Sequence, residues 1–310
     1  MVSRRILLAF AALFLAGCQT AAGSSPPSPS GTKPRVGASF PILADIVRTV
    51  AGDRLEVVSV IPDGADLHTW EPSAQDLVRA ASFRGFLFIG ANNERFLEDG
   101  GFRQVLRDRG IPRLEYASQL DLIMVDKVID HGDHVHDLRE GDPHVWLDPR
   151  RVIAMLDPTV RFLSELDPEG ASVFAANAER YAVALRALDT ELATDFARIP
   201  PPRRRLVVFH NAFTYFADRY GFDVVEVVIK SPGREPSAKD IAALRDTIVA
   251  AGVPAVFKEP QFNARVLEQV AADLRVPVGV LLTDSFTPGV HTYLDLMRFN
   301  RDCLVTHLAQ

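Results

Sequence analysis

From Ala171 to Ile199 the chain contains neither glycine nor proline and is rich in Ala, Leu, Glu and Arg. These are strong helix formers. With its flanks, "DPEGASVFAANAERYAVALRALDTELATDFARIP", the stretch 167–200 predicts a helix running about 45 Å. A helix of that length cannot be wrapped inside a small domain, so the rest of the chain has to be arranged along it. On both sides the pattern changes to short apolar runs alternating with amphipathic ones. Before it come "RVGASF", a strand, "PILADIVRTVAG", a helix closed by Gly52, "RLEVVSVIP", a strand, "SAQDLVRAAS", a helix with Ser73 as N-cap, and "FLFIGA", a buried strand. "FLEDGGFRQVLRDRG" is helical in pattern but broken by Gly100 and Gly101. After it "RLVVFH", "VVEVVIK", "AVFKEP" and "VPVGVLL" alternate with helical stretches, one of them "SAKDIAALRDTIVAAG" with a serine cap and Gly252 at its end. Strand–helix alternation predicts mainly parallel sheets flanked by helices. The expected fold class is therefore α/β, with two lobes joined by one long, rigid spine helix and little relative lobe motion. The boundaries are 35–166 for the N-terminal lobe, 167–200 for the linking helix and 201–310 for the C-terminal lobe.

The N-terminus sets the compartment. "MVSRR" is cationic, and "ILLAFAALFLAG" is an apolar run of signal-peptide length, too short to span a bilayer. It ends in "LAGC", which resembles a lipobox and implies removal of residues 1–17 and lipidation of Cys18. An ordinary secretory cut near Ala21-Ala22-Gly23 is the alternative. Residues 18–34, Ser/Pro/Gly/Ala-rich beyond Cys18, read as a flexible tether. Either cleavage places the mature protein outside the cytoplasm, in the periplasm, and lipidation would tether it to a membrane. With Cys18 lipidated or removed, Cys303 is the remaining cysteine, which excludes an intrachain disulfide and a cysteine metal cluster. Its apolar-periodic setting reads as a buried structural thiol. The formal net charge of −6 gives no basic excess for nucleic acid.

Two stretches share a shape, "ADLHTWEP" at 65–72 and "DPHVWLDP" at 142–149: a histidine beside a tryptophan, close to carboxylates, ahead of a proline. His68, His144 and His210 each lie at or just past a strand end, or in the loop opening the next helix. In open α/β sheets that edge binds ligands. A lone histidine there is more often hydrogen-bonded structure than a ligand. Three in equivalent places, drawn from both lobes, can converge in the cleft between them. Asp284 in "VLLTDSF" occupies a similar place, as does Glu259 in "VFKEPQ" one strand earlier; either reading, helix cap or ligand, is open for Asp284 alone. Trp70 and Trp146 can pack to keep such a site dry. Glu71 and Asp148 can orient histidines or simply form turns. "DKVIDHGDHVHDLREGD", 126–142, is polar and aperiodic and reads as a mobile loop. Its His131, His134 and His136 offer an auxiliary, loose metal site or an inert acidic surface.

Five stretches, "VGASFPILADIVRTVAGDRLEVVSVIPDGADLHTWEPSAQDL", "DPHVWLDP", "HNAFTYFADRYG", "EPSAKDIAAL" and "FKEPQF", taken in order, resemble the metal-binding solute receptors of ABC importers for zinc and manganese. The resemblance spans nearly all of 35–308. It implies two α/β lobes on one long helix, metal ligands at His68, His144, His210 and Asp284, and no enzymatic activity. The third ligand position is His in zinc receptors and Glu in many manganese receptors; here it is His210, which points to the zinc subgroup. The His/Asp-rich loop before the second ligand is also typical of that group. Leu67 departs from the proline often found before the first histidine.

The chemistry of the ligand set agrees. Three imidazoles and one carboxylate suit tetrahedral Zn(II), whereas Mn(II) favours more carboxylates, and copper would have to be excluded by geometry or availability. The expected function is an extracytoplasmic high-affinity receptor that delivers Zn(II) to an ABC importer. The implied partners are a membrane permease and a periplasmic zinc donor protein, with the receptor itself a monomer. A manganese receptor of the same family is the near alternative. A zinc-dependent hydrolase or hydratase is the alternative of a different class, since three histidines plus water also describe a catalytic site. Against it, no H-E-x-x-H occurs, and Asp284 would close the position that water needs. An adhesin or metal store has no repeat or low-complexity region to favour it.

Overall fold

The computed structural model describes residues 33–98, 101–124, 141–229, 233 and 236–309, and the backbone of 128–130 and 135–137. In the N-terminal half, β1 (Arg35–Ala38), α1 (Pro41–Ala51), β2 (Glu56–Ser59), α2 (Ala74–Ala80), β3 (Gly85–Phe88), α3 (Gly101–Asp108) and β4 (Arg113–Glu115) build a four-stranded parallel sheet in the order β2-β1-β3-β4. Val36 of β1 pairs with Val57 on one side and Gly85 on the other. β1 and β3 are buried on both faces, which is why they read as continuous apolar runs rather than alternating ones. Pro41 opens α1 and Gly52, at φ +57°, ends it. Ser73 and Asp76 form a reciprocal capping box at the start of α2.

Two elements differ from the sequence reading. Part of the stretch expected to be a loop without regular structure forms a short antiparallel pair, β5 (Val128–Asp130) and β6 (Val135–Asp137), with Ile129 opposite His136. His131 and His134 lie outside the described residues. Downstream, α4 (Pro149–Leu166) is an 18-residue helix that the sequence pattern did not announce. Asp148 caps it, accepting from Arg150 N at 2.8 Å, and Pro149 fits at its first position. Pro158 sits inside it. Proline there forfeits one backbone hydrogen bond, and its buried side chain packs in the core face of the helix with Met155, Phe162 and Leu163.

The long helix expected over 167–200 is α5 (Ala171–Phe196), about 39 Å long at the usual rise. A single 3-10 turn, Pro168–Gly170, takes up the first residues, and the chain leaves helix before the run Pro200-Pro201-Pro202. α4 packs along α5, and α1 and α9 flank it.

The C-terminal half holds β7 (Arg205–Val208), α6 (Thr214–Tyr220), β8 (Asp223–Val227), α7 (Ala238–Ala251), β9 (Val256–Lys258), α8 (Arg265–Leu274), β10 (Val278–Val280) and α9 (Tyr293–Leu308). β7 pairs with β8 and β9 with β10, all in parallel, and β7 lies beside β9. Ser237 and Asp240 repeat the capping box at α7, and Gly252 closes that helix in the left-handed conformation. A buried cluster including Phe40, Trp146, Leu185, Phe213 and Leu282 runs through both halves around α5. A second cluster, with Val207, Phe209, Leu244 and Leu267, belongs to the C-terminal half. The fold is thus α/β with two lobes, each built on parallel strands and each packed against one long helix. Cys303 is a free thiol that is partly rather than fully buried, and burial pushes its pKa up to about 11.

Candidate metal centre

His68 lies in the loop that follows β2. Leu67, where a proline was the familiar residue, is fully buried and anchors this loop in the core. Asp66 Oδ1 accepts the backbone N–H of His68 at 3.0 Å, and Asp66 Oδ2 accepts from Thr69 Oγ1 at 2.7 Å. The second loop repeats the device: Asp142 Oδ1 accepts the backbone N–H of His144 at 2.9 Å. In both, an aspartate two residues ahead of the histidine folds the chain into a side-chain-mimicked turn. That is the physical content of the recurring Asp-x-His pattern. His210 lies two residues past the end of β7, and its backbone N–H is 3.3 Å from Glu259 Oε1.

The three rings meet at the strand ends between the lobes. Their centroids are 5.6 Å (His68–His144), 5.5 Å (His68–His210) and 5.4 Å (His144–His210) apart, nearly an equilateral triangle. One ligand nitrogen from each lies within 4.8 Å of the other two, and all three residues are buried. A tetrahedral zinc with Zn–N bonds of about 2.1 Å requires nitrogens about 3.4 Å apart, so side-chain adjustment suffices to close the set. Asp284, 1% exposed, stands beside them with Oδ2 3.8 Å from His210 Nε2.

Two carboxylates aim the rings. His144 Nδ1 is 2.9 Å from Asp142 Oδ1, and His210 Nδ1 is 2.8 Å from Glu259 Oε1. Each contact turns Nε2 toward the shared centre, and both Nε2 atoms are buried with no hydrogen-bond partner, as is Asp284 Oδ1. Buried polar atoms left in this way are costly, and a cation at the centre would satisfy all three. Asp142, Glu259 and Asp284 are each about 1% exposed. Burying carboxylates without compensating positive charge is unfavourable. Burial raises the Asp284 pKa to about 6, a rise that His210 opposes and Glu259 reinforces. Burial alone would lower the pKa of His210, but Glu259, then Asp284 and Asp66, raise it to about 9. Positive charge is favoured at this spot.

The walls are aromatic. Trp146 is fully buried, packs on Phe40 and on His144, and donates from Nε1 to Thr283 O across the cleft at 2.9 Å. Phe262 lies edge-on to His210, and Trp70 packs edge-on to Phe96. Of the two residues read as orienting histidines or forming turns, Glu71 is exposed and Asp148 caps α4. Glu259 does touch a candidate ligand. Asp142, quoted within the motif but passed over, is the partner of His144 that sequence reasoning missed.

Over residues 36–307 the chain matches the family described as ZnuA, the periplasmic component A of the zinc-uptake complex. It is 30% identical to the manganese-binding lipoprotein MntA of Halalkalibacterium halodurans, covering 96% of each chain. It is 29% identical to the iron-binding protein YfeA of Yersinia pestis, covering 92% of this chain and 89% of that one. Among solved structures, the periplasmic zinc-binding protein TroA from Treponema pallidum superposes with a TM-score of 0.77 at 25% identity, over 90% of this chain and all (100%) of that one. A converging set of buried imidazoles on a two-lobed fold, with matches of this extent, leaves one assignment: the chain belongs to the ZnuA family, the metal-binding receptors that serve a membrane permease and ATPase in ABC import, and is not an enzyme.

Proposed function

We propose that the cargo is Zn(II), bound by His68, His144, His210 and Asp284 and handed from the cleft to the permease. The observation that carries this reading is the triangle of three buried imidazoles with the Asp284 carboxylate beside it. Glu259 does not add a second one, because Oε1 holds His210 and Oε2 accepts from Thr283 and Gln261. Three nitrogens and one oxygen suit four-coordinate zinc, while Mn(II) prefers more oxygen ligands. Manganese is the second reading, favoured by the manganese-binding relative at 30% identity. Competitive titration of the metal-free protein separates the two: Zn(II) should displace Mn(II) at equal concentration, and the reverse order would overturn the zinc assignment.

The mature chain in this reading starts at a lipidated Cys18, with residues 18–34 as tether, lobes over 35–166 and 201–310, and the linking helix between them. It works as a monomer in the periplasm, loaded by a zinc donor protein. Cys18→Ser should release the protein from the membrane fraction, while a fragment starting at Lys33 still binds zinc. Equal membrane retention of Cys18→Ser and wild type would favour an ordinary secretory signal instead.

A further inference from the structure

Glu259 and Asp284 are two buried carboxylates at neighbouring strand ends. Between them lies the side-chain amide of Gln261. This residue sits in the turn closed by Phe262 N–H donating to Glu259 O at 3.2 Å. Its Nε2 lies 3.0 Å from Thr283 Oγ1, 3.1 Å from Glu259 Oε2 and 3.5 Å from Asp284 Oδ2. Thr283 gives its own hydroxyl proton to Glu259 Oε2, so it accepts from Gln261. With acceptors on every side, the nitrogen end of the amide is the end that belongs here. The two oxygens of Asp284 are therefore unlike: Oδ2 lies 3.5 Å from the Gln261 amide and 3.8 Å from His210 Nε2, and Oδ1 is buried with no hydrogen-bond partner.

We propose that Gln261 is a specificity-determining residue that makes Asp284 a one-oxygen ligand and so tilts the site toward four-coordinate metals. The inference rests on His68, His144, His210 and Asp284 being the ligands. An oxygen shared with an amide N–H is a poorer metal donor than its unpartnered twin, so in this proposal Oδ1 is the stronger donor and the amide holds Oδ2 back from a second metal bond. Remove the amide and both oxygens become equivalent, which permits two-oxygen chelation and a fifth coordination position. That change favours Mn(II) over Zn(II), because larger coordination numbers and oxygen donors suit manganese. The same amide braces Glu259 and, through it, the ring of His210.

The test uses Gln261→Met, which keeps the side-chain length and removes the donor, with Gln261→Ala judged by the same criteria if the first fails to fold. Zinc and manganese affinities are measured by competitive titration, and the visible absorption of the Co(II)-loaded protein is recorded alongside. The ratio of zinc to manganese affinity should fall about tenfold, in the range usual for partners of metal ligands. The Co(II) bands should weaken as the site leaves tetrahedral geometry. A ratio within twofold of wild type with an unchanged Co(II) spectrum overturns the proposal. So does equal weakening of both metals, which is what mere loosening would give. A wild-type protein that prefers Mn(II) would refute zinc as cargo, yet the shift of the ratio on substitution would still decide the role of Gln261.

Discussion

A single oxygen, Asp142 Oδ1, lies 2.9 Å from both the backbone nitrogen and the ring Nδ1 of His144. Backbone turn and ring direction are thereby fixed by one carboxylate. Tyr215 secures that carboxylate's own residue by donating to Asp142 O at 2.7 Å. Asp142→Asn keeps an acceptor for the turn but removes the charge that makes the imidazole a strong donor. Zinc affinity should fall about 10- to 100-fold, as is typical when such a partner is lost. Competitive titration against a chelator reads the loss, and wild-type affinity in this variant would refute the orienting role.

His144→Ala and Asp284→Ala should not be equivalent. The first takes one imidazole out of the triangle, leaves a hole against Trp146, and should lower affinity by orders of magnitude. The second leaves three nitrogens that water can complete to a four-coordinate site. Calorimetry on both variants should place Asp284→Ala between His144→Ala and wild type. An unchanged affinity in His144→Ala would remove that residue from the ligand set.

Asp189 of α5 ties three elements together and makes a test by pH. It is 6% exposed and accepts from Arg150 of α4 at 3.0 Å, from Arg219 of α6 at 2.9 and 2.6 Å, and from Tyr220 at 3.1 Å. Burial pushes its carboxyl upward, but Arg219 and then Arg150 outweigh that and hold it below the ordinary 3.8. A depressed carboxylate pKa stabilises the fold above the unfolded value, and the stabilisation is lost as pH falls through the folded one. Asp189→Asn should therefore cost about 2 kcal/mol near pH 7, and the gap to wild type should close as pH drops below 3.8. Urea unfolding at neutral and acid pH measures it. A gap that stays constant with pH would mean the charge is not what stabilises.

Deleting residues 130–137 removes His131, His134 and His136 together with most of the β5–β6 pair. None of the three converging histidines lies in that stretch, so tight binding should persist. Any weaker second binding event should vanish, and loading from a chelator should slow. Calorimetric stoichiometry and stopped-flow loading rates decide the matter. Loss of tight binding would place a primary ligand inside the deleted segment.

The sequence makes local signals plain where local chemistry decides the outcome. Ser73 and Ser237 each stand three residues before an aspartate, and both form the cap that this spacing implies. The Asp-x-His repeats at 66–68 and 142–144 work within their own loops, so the histidines stood out before their rings could be placed. α4 was hidden because Pro158 carries the usual signal for a helix end, and only packing along α5 overrides it. Glu71 and Asp148 lie within four residues of a histidine and Asp142 within two, and nothing in the pattern says which carboxylate turns inward. Gln261 escaped notice altogether. Its contacts to Thr283 and Asp284 exist only once the loops after β9 and β10 lie side by side. If Gln261 tilts the site as proposed, the identity of the metal turns on contacts of this kind, which residue types alone do not show.

The bond from Trp146 Nε1 to Thr283 O spans the cleft and ends one residue from Asp284. Indole emission responds to the hydrogen bond at that nitrogen and to water reaching the ring. The chain has two tryptophans, and the other, Trp70, rides on the loop that carries His68. Any separation of the lobes at this point breaks the Trp146 bond and wets its ring. The receptor therefore carries its own optical gauge of cleft opening, beside the candidate metal centre, with no label attached.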